Sequence, residues 1–333
     1  MRKNLHMCDF CCIFAAKLRS MRIAFTTELP KEGFKRLIGH ELYAKPEEAD
    51  VLVSTFDYRV SREMIEAMPN LRLIANFGAG FNNIDLEACK ERGIRVTNTP
   101  QPVIEPTAEL AFALMIDVAR RVSEFDRKVR GYGLQVTEEP LFGVMRNLSH
   151  SLYGKTLGIL GMGRIGQALA RRAVASGMRI IYHNRHELTS ERVKELKSEG
   201  IHAKYVDFQT LLQDSDYLSL NRPYTPEVHH IIGKPELGMM KRSAYLINTA
   251  RGAHVDEAAL VEALQNGIIA GAALDVYEHE PAISPELLAL PNVVLSPHTG
   301  TGTWEGRISM CENVCDNIIA FANNEFYKMN IVL

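Results

Sequence analysis

The chain has 333 residues, 46% of them hydrophobic and 23% charged, and a formal net charge of −2. That length exceeds the size at which one hydrophobic core keeps growing, so two domains are expected, and the composition is that of a globular enzyme rather than a fibre or a disordered chain. A near-neutral charge offers no basic field to nucleic acid, and the apolar run at 110–116 is cut by Asp117 well short of the roughly 20 residues a membrane span needs. Neither nucleic acid nor membrane is expected as a partner, which leaves small molecules.

Met1-Arg2-Lys3 resembles the start of a signal peptide, but Asp9 interrupts the apolar stretch and no small-residue cleavage site follows. A strand-like run begins at Met21, so residues 1–20 are read as an upstream addition outside the fold, from a start codon placed too early or a cloning remnant. The cysteines Cys8, Cys11, Cys12, Cys89, Cys311 and Cys315 form no paired framework and read as reduced thiols of a cytoplasmic protein. Cys8, Cys11 and Cys12 lack a second ligand cluster, and no metal site is expected.

Between Met21 and Thr97, β-branched runs at 21–25, 51–54, 71–76 and 94–97 alternate with helical stretches, which predicts a small βα domain with a parallel sheet. The proline-rich connector from Thr99 to Pro106 cannot be regular helix and reads as a hinge. Thr107 is placed to cap the next helix, whose apolar face is Ala108, Ala111, Met115 and Val118 and whose end lies near Arg120-Arg121. Residues 131–151 show no period and read as an arm or long loop. Six strands follow, at 156–160, 178–182, 217–220, 244–248, 270–276 and 293–296, separated by helix-sized gaps, the pattern of a doubly wound sheet. A last amphipathic helix, with Trp304, Ile308, Cys311, Cys315 and Ile318 on one face, is expected to return to the first domain. The predicted fold is α/β with two domains. Residues 21–103 and 300–333 form a smaller flavodoxin-like substrate domain completed by the C-terminal helix, and 104–299 form a Rossmann cofactor domain.

Gly161-Met162-Gly163-Arg164-Ile165-Gly166 is a weak pattern alone, but here it follows a buried strand and opens a helix running to Ser176. In that context Gly161 makes the tight turn, Gly163 admits a pyrophosphate to the backbone, Gly166 permits close packing, and the helix amides face the anion. The acid that would bond a ribose 2′-hydroxyl about 20 residues further on is absent, for the next strand ends in Tyr182-His183-Asn184-Arg185. A neutral Asn184 removes repulsion against a 2′-phosphate and Arg185 can pair with it, which favours NADP over NAD. If Arg185 instead stacks on adenine, either cofactor is open.

Four polar residues follow successive strands, where open α/β sheets bind ligands: Arg251 in Asn248-Thr249-Ala250-Arg251-Gly252, Asp275, Glu280 before Pro281, and His298 after Ser296-Pro297. Arg251 is placed to hold an anion and Asp275 to meet a nicotinamide amide, while the proline after Glu280 favours an extended backbone there. Singly each reads as a surface arginine, a capping acid, a solvated glutamate or a satisfied histidine; four in succession on one sheet do not. His229-His230 has no evident third metal ligand, and Arg120-Arg121 and Arg171-Arg172 read as solvated helix faces.

In order and spacing from Met21 onward, the stretches Lys155-Thr156-Leu157-Gly158-Ile159-Leu160-Gly161-Met162-Gly163-Arg164-Ile165-Gly166, Asn248-Thr249-Ala250-Arg251-Gly252, Leu274-Asp275-Val276-Tyr277-Glu278-His279-Glu280-Pro281 and Ser296-Pro297-His298-Thr299-Gly300 resemble the D-isomer-specific 2-hydroxyacid dehydrogenase family. The resemblance implies that Arg251, Glu280 and His298 are catalytic and that Gly78-Ala79-Gly80 offers backbone amides to the substrate carboxylate. It also implies cofactor contacts at Thr107, Arg164, Ile165, Pro223, Thr249 and Asp275, and a homodimer. Within the family, Tyr182-His183-Asn184-Arg185 and Thr107-Ala108-Glu109 look similar to the glyoxylate, hydroxypyruvate and 2-ketogluconate reductases. Thr299-Gly300-Thr301-Gly302-Thr303 lacks the aromatic residues of D-lactate specialists. Two departures concern the substrate pocket: no tryptophan stands between Gly131 and Gly143, where Tyr132 or Phe142 would substitute, and Trp304 occupies an unusual position.

Chemistry supports the same roles. Reducing a 2-keto acid places a proton on the carbonyl oxygen, for which an imidazolium suits neutral pH, and a carboxylate neighbour favours that charged ring. His298 would give the proton, Glu280 would favour its charge, and Arg251 would bind the carboxylate and polarise the carbonyl. The expected activity is therefore NAD(P)H-dependent reduction of a small 2-keto acid to a D-2-hydroxy acid. A dinucleotide-sensing, co-repressor-like scaffold is the reading from another class; no basic or low-complexity extension favours it.

Overall fold

The computed structural model describes residues 20–132 and 141–333. The expectations for the N-terminal addition, for Cys8, Cys11 and Cys12, and for part of the arm fall on residues 1–19 and 133–140, outside the described residues.

The described residues fall into two compact units, those up to Val103 together with Thr303–Leu333, and those from Ile104 to Gly302. In the first, strands β1 (Arg22–Phe25), β2 (Glu41–Leu42), β3 (Val51–Thr55), β4 (Leu73–Phe77) and β5 (Arg95–Thr97) pair in parallel in the order β2-β1-β3-β4-β5. This is the flavodoxin-like strand order. In the second, β6 (Thr156–Leu160), β7 (Arg179–His183), β8 (Ala203–Tyr205), β9 (Tyr217–Leu220), β10 (Tyr245–Asn248), β11 (Gly271–Leu274) and β12 (Val293–Leu295) run in the order β12-β11-β10-β9-β6-β7-β8. Counted from β6, that is the Rossmann order 3-2-1-4-5-6 with one strand added at its far edge. The order reverses between β6 and β9, so their carboxyl ends bound the crevice where such sheets hold a ligand.

Central strands such as β6, β9 and β10 are buried along their whole length, as parallel strands covered on both faces must be. The second sheet has seven strands rather than six. In β8 an exposed Lys204 sits between partly buried neighbours, so this edge strand presents no apolar run to read. β2 is a two-residue edge strand and escapes for the same reason.

The connector is shorter than its prolines suggest. A helix already begins at Ile104 and runs to Arg120, with Pro106 as its third residue, where the amide has no intrahelical partner to lose. Thr107 consequently lies inside the helix, only 6% exposed, and is not its cap. A further helix, Val122–Tyr132, follows directly.

The C-terminal helix Trp304–Ala322 belongs to the first unit, where it packs on the 3-10 turn Lys31–Leu37 and on β4. Thr303 caps it by accepting from the Gly306 amide at 3.0 Å. Its buried face runs through Met310, Cys311, Val314, Cys315 and Ile318, but Trp304 is 75% exposed and lies off that face. Burial pushes the thiols of Cys89 up to about 11 and of Cys311 and Cys315 up to about 12, so all three stay protonated and serve as packing groups. No helix among the described residues is long and apolar enough to cross a membrane.

Candidate active site

The loop after β6 is built to meet an anion. Gly161 has φ of +103°, and a side chain there would sit 2.8 Å from the backbone of Asn221 and Arg222, so only glycine fits the turn. Gly163 then caps the helix Arg164–Ala175, whose first-turn amides face outward from the sheet's carboxyl edge. The Asn184 side chain, at the end of β7, accepts from the Met162 amide at 2.7 Å and ties the loop to the neighbouring strand.

A cavity of about 570 Å³ opens at this loop, a volume typical of small-molecule sites. Gly161, Gly163, Arg164, Asn184, Arg185 and Arg222 are among its lining residues, and no carboxylate is. Arg164, Arg185 and Arg222 make no ion pair among the described residues. Nearby, Thr249 Oγ1 and Asn221 Oδ1 are buried without a hydrogen-bond partner among the described residues. An anion cradle, unpaired cations and orphaned polar atoms together fit a dinucleotide.

The polar residues following β10, β11 and β12 are held by one another. Glu280 Oε2 lies 2.7 Å from His298 Nδ1, and its other oxygen accepts from the Tyr277 amide at 2.9 Å. An ionised carboxylate only accepts, so the imidazole donates through Nδ1. Burial alone would raise the Glu280 pKa, but the bonds from His298 and Tyr277 and the charges of His298 and Arg251 outweigh it and hold the carboxyl below its ordinary value. His298 itself sits at φ +52°, an uncommon conformation for a non-glycine residue.

Asp275 fixes that loop. Only 1% exposed, its carboxylate accepts from Ser296 Oγ at 2.5 Å and from the amides of Thr299 and Gly300, each at 2.8 Å, while its carbonyl accepts from the His298 amide at 2.9 Å. This supporting role was not visible in the sequence, which pointed Asp275 only at the cofactor.

Arg251 is set by the preceding strand. Asn248 Nδ2 donates to the Arg251 carbonyl at 2.9 Å and Asn248 Oδ1 accepts from Ala250, closing the turn. The next residue, Gly252, packs so tightly that a side-chain carbon would fall 1.9 Å from the Tyr277 backbone. Burial lowers the Arg251 pKa and Glu280 opposes it; an arginine starts so high that it remains a cation.

In the first unit, the loop after β4 turns its carbonyls inward. Asn76 Nδ2 donates to the carbonyls of Gly78 and Gly80 at 3.1 and 2.8 Å, and Asn98 Nδ2 to that of Ala79 at 2.8 Å. The amides of Ala79 and Gly80 make no hydrogen bond among the described residues. Backbone amides left open by a turn are anion donors.

Residues 112–300 match the family described as D-isomer specific 2-hydroxyacid dehydrogenase, NAD binding domain. The chain is also 46% identical over 319 residues to a glyoxylate reductase of Thermococcus litoralis, an alignment covering 91% of this chain and 94% of that one. The chain belongs to the D-isomer specific 2-hydroxyacid dehydrogenase family. It is a nicotinamide-dependent oxidoreductase that interconverts 2-keto acids and D-2-hydroxy acids. Solved relatives agree in fold. A glyoxylate reductase from Paecilomyes thermophila is 35% identical with a TM-score of 0.80, covering 92% of this chain and 97% of that one. An NADPH-dependent glyoxylate/hydroxypyruvate reductase from Sinorhizobium meliloti, in complex with NADP and malonate, is 32% identical with a TM-score of 0.78, covering 90% and 93%.

One cluster of this dehydrogenase departs from the sequence reading. His229-His230 does meet a third group, since Glu278 Oε1 lies 2.6 Å from His230 Nε2 and the three side chains offer ligand atoms within 4.8 Å of one another. The two rings, however, are stacked at 3.9 Å with 21° between their planes. Their lone pairs therefore lie in two nearly parallel, separate planes, an arrangement ill suited to holding one ion between them. As arranged, His230 and Glu278 form a hydrogen-bonded pair that joins the loop after β9 to the turn carrying Glu280. Arg222, Glu278 and Asn98 also went unread; each acts through a partner distant in sequence.

Proposed function

We propose that this chain is a cytoplasmic, homodimeric reductase of small 2-keto acids of the glyoxylate, hydroxypyruvate and 2-ketogluconate class, and that it uses NADPH in preference to NADH. The observation that carries the reaction is the 2.7 Å pair between His298 Nδ1 and Glu280, within the field of the half-buried Arg251 cation. With Nδ1 committed to Glu280, His298 has Nε2 to give a proton to the substrate's carbonyl oxygen, and it takes that proton back in the oxidative direction. Arg251 binds the substrate carboxylate and polarises the carbonyl. Glu280, kept ionised, compensates the imidazolium. The open amides of Ala79 and Gly80, with Gly78 shaping the turn, are read as anion donors of the first unit.

When bound, the dinucleotide supplies the reducing equivalent to the carbonyl carbon. The loop residues Gly161, Gly163, Arg164, Ile165 and Gly166 hold its pyrophosphate, and Thr107, Pro223, Thr249 and Asp275 line its path. Asn184 and Arg185 take its adenosine ribose, and the absence of a lining carboxylate there supports the phosphorylated cofactor. The complex of the Sinorhizobium meliloti relative with NADP agrees with this reading. A homodimer is supported by Phe142, Val144, Met145 and Leu148, large apolar side chains left exposed in the described part of the arm.

The test is a steady-state comparison of glyoxylate, hydroxypyruvate, 2-ketogluconate and pyruvate with NADPH and with NADH. Higher kcat/KM for the first three acids with NADPH is the expected result. A higher kcat/KM with NADH would overturn the cofactor preference, and no turnover of any of the acids, alongside tight dinucleotide binding, would leave a sensing scaffold.

A further inference from the structure

We propose that Arg222 is a second arginine for the ribose 2′-phosphate, closing with Arg185 a two-guanidinium clamp that sets the preference for NADPH. This rests on the NADPH reading above and deepens it.

Strand order carries the first part of the case. β9, β6 and β7 are consecutive neighbours in the sheet, so the phosphate loop at the end of β6 is flanked on one side by the end of β9 and on the other by the end of β7. Arg222 leaves the first of these and Arg185 the second. Two strand spacings separate them, about 10 Å, a gap that two arginine side chains reaching toward each other can span. Arg222 is also pressed against the loop itself, for its amide nitrogen lies 2.8 Å from where a Gly161 side chain would begin. Both arginines line the same cavity.

Charge carries the second part. Several arginines of this unit are paired with an acid: Arg171 with Glu199, Arg172 with Glu105, Arg192 with Glu195. Arg222 and Arg185 have no such partner among the described residues, and they weaken one another. Burial lowers the Arg222 pKa, and the Arg185 charge lowers it further. Glu227 lies in electrostatic reach of Arg185, but its carboxylate is already bonded by Thr225. Two guanidiniums held together without an acid cost free energy that a dianion recovers. A ribose 2′-phosphate brings about −1.5 to −2 charges at neutral pH, as any phosphate monoester does; a 2′-hydroxyl brings none. Stacking of Arg222 on the adenine face is the competing role, and it would serve both cofactors alike.

Calorimetric titration of 2′,5′-ADP and of 5′-AMP into the wild type, R222A, R222K and R185A separates these roles without reference to turnover. Wild type should bind 2′,5′-ADP the more tightly. R222A should weaken 2′,5′-ADP by roughly tenfold to a hundredfold, the loss of a charge-assisted pair, while 5′-AMP changes little, and R222K should recover part of the loss. Equal weakening of both ligands would assign Arg222 to adenine and overturn the clamp, as would no change in either. Equal binding of the two ligands by wild type would instead overturn the NADPH reading, and the clamp with it. A thermal melt of R222A matching wild type confirms that the fold is intact.

Discussion

The carboxyl edge of the second sheet has two ends that treat charge in opposite ways. Beyond β11 and β12, Glu280 has both oxygens engaged, Asp275 accepts three donors at 2.8 Å or less, and Arg251 lies in the field of Glu280. Beyond β7 and β9, Arg185 and Arg222 face a shared cavity with no acid in its wall. Charges paired within the protein are held in place before substrate arrives, which is what proton transfer requires. Charges left unpaired mark where the ligand is to bring the counter-charge.

The sharpest way to break this contrast is at the paired end. His298→Ala should lower kcat for keto-acid reduction by about 10² to 10⁴, the usual worth of a general acid, with NADPH affinity by fluorescence titration unchanged. Near-normal turnover would remove His298 from proton donation and leave the pair as a structural ion pair. Glu280→Gln should cost less, roughly tenfold to a hundredfold in kcat, since it keeps the shape and a hydrogen-bonding group but loses the charge.

Glu280→Gln also tests a pH dependence. The carboxyl is held below its ordinary value of about 4.3, so its stabilising contribution is complete above that pH and is lost as pH falls through the depressed folded value. Urea midpoints of the wild type should therefore fall more steeply on acidification than those of the variant. Parallel curves would show that the 2.7 Å pair adds nothing to stability.

At the unpaired end the expected effect is smaller and of a different kind. Arg185→Ala should reduce the ratio of NADPH to NADH efficiency by about tenfold while leaving kcat with saturating cofactor near wild type. A variant that lost kcat and kept selectivity would blur the division between the two ends.

What was legible in the sequence follows from the range over which each feature is determined. The turn at Gly161 and the helix from Arg164 are local, a strand, a tight turn and a capped helix read from adjacent residues. Arg251, Asp275 and His298 stand out because each follows a buried apolar run. β8 was hidden because an edge strand with Lys204 exposed has no apolar pattern, and the helix start at Ile104 because a proline in the first turn breaks no hydrogen bond. Arg222 acquires meaning only from the β9-β6-β7 order, and the His230–Glu278 pair joins residues 48 positions apart. Neither relation has a local signature.

That last pair provides the finest test, because it belongs structurally to the paired end yet touches no reacting atom. Burial would raise the Glu278 pKa, but the bond from His230 and the amide of Glu257 outweigh it and hold the carboxyl below its ordinary range. The contribution is therefore present above about pH 4.3 and fades as pH falls through the folded value. Because the pair is partly open to solvent, its worth should be no more than about 1 kcal/mol. Glu278→Gln should flatten the acid side of the stability curve by that amount, measured as urea unfolding between about pH 7 and about pH 3, and leave the NADPH to NADH ratio unchanged. A change in that ratio would mean that the loop after β9 transmits strain from His230 to Arg222, and that the two ends of the sheet are not independent.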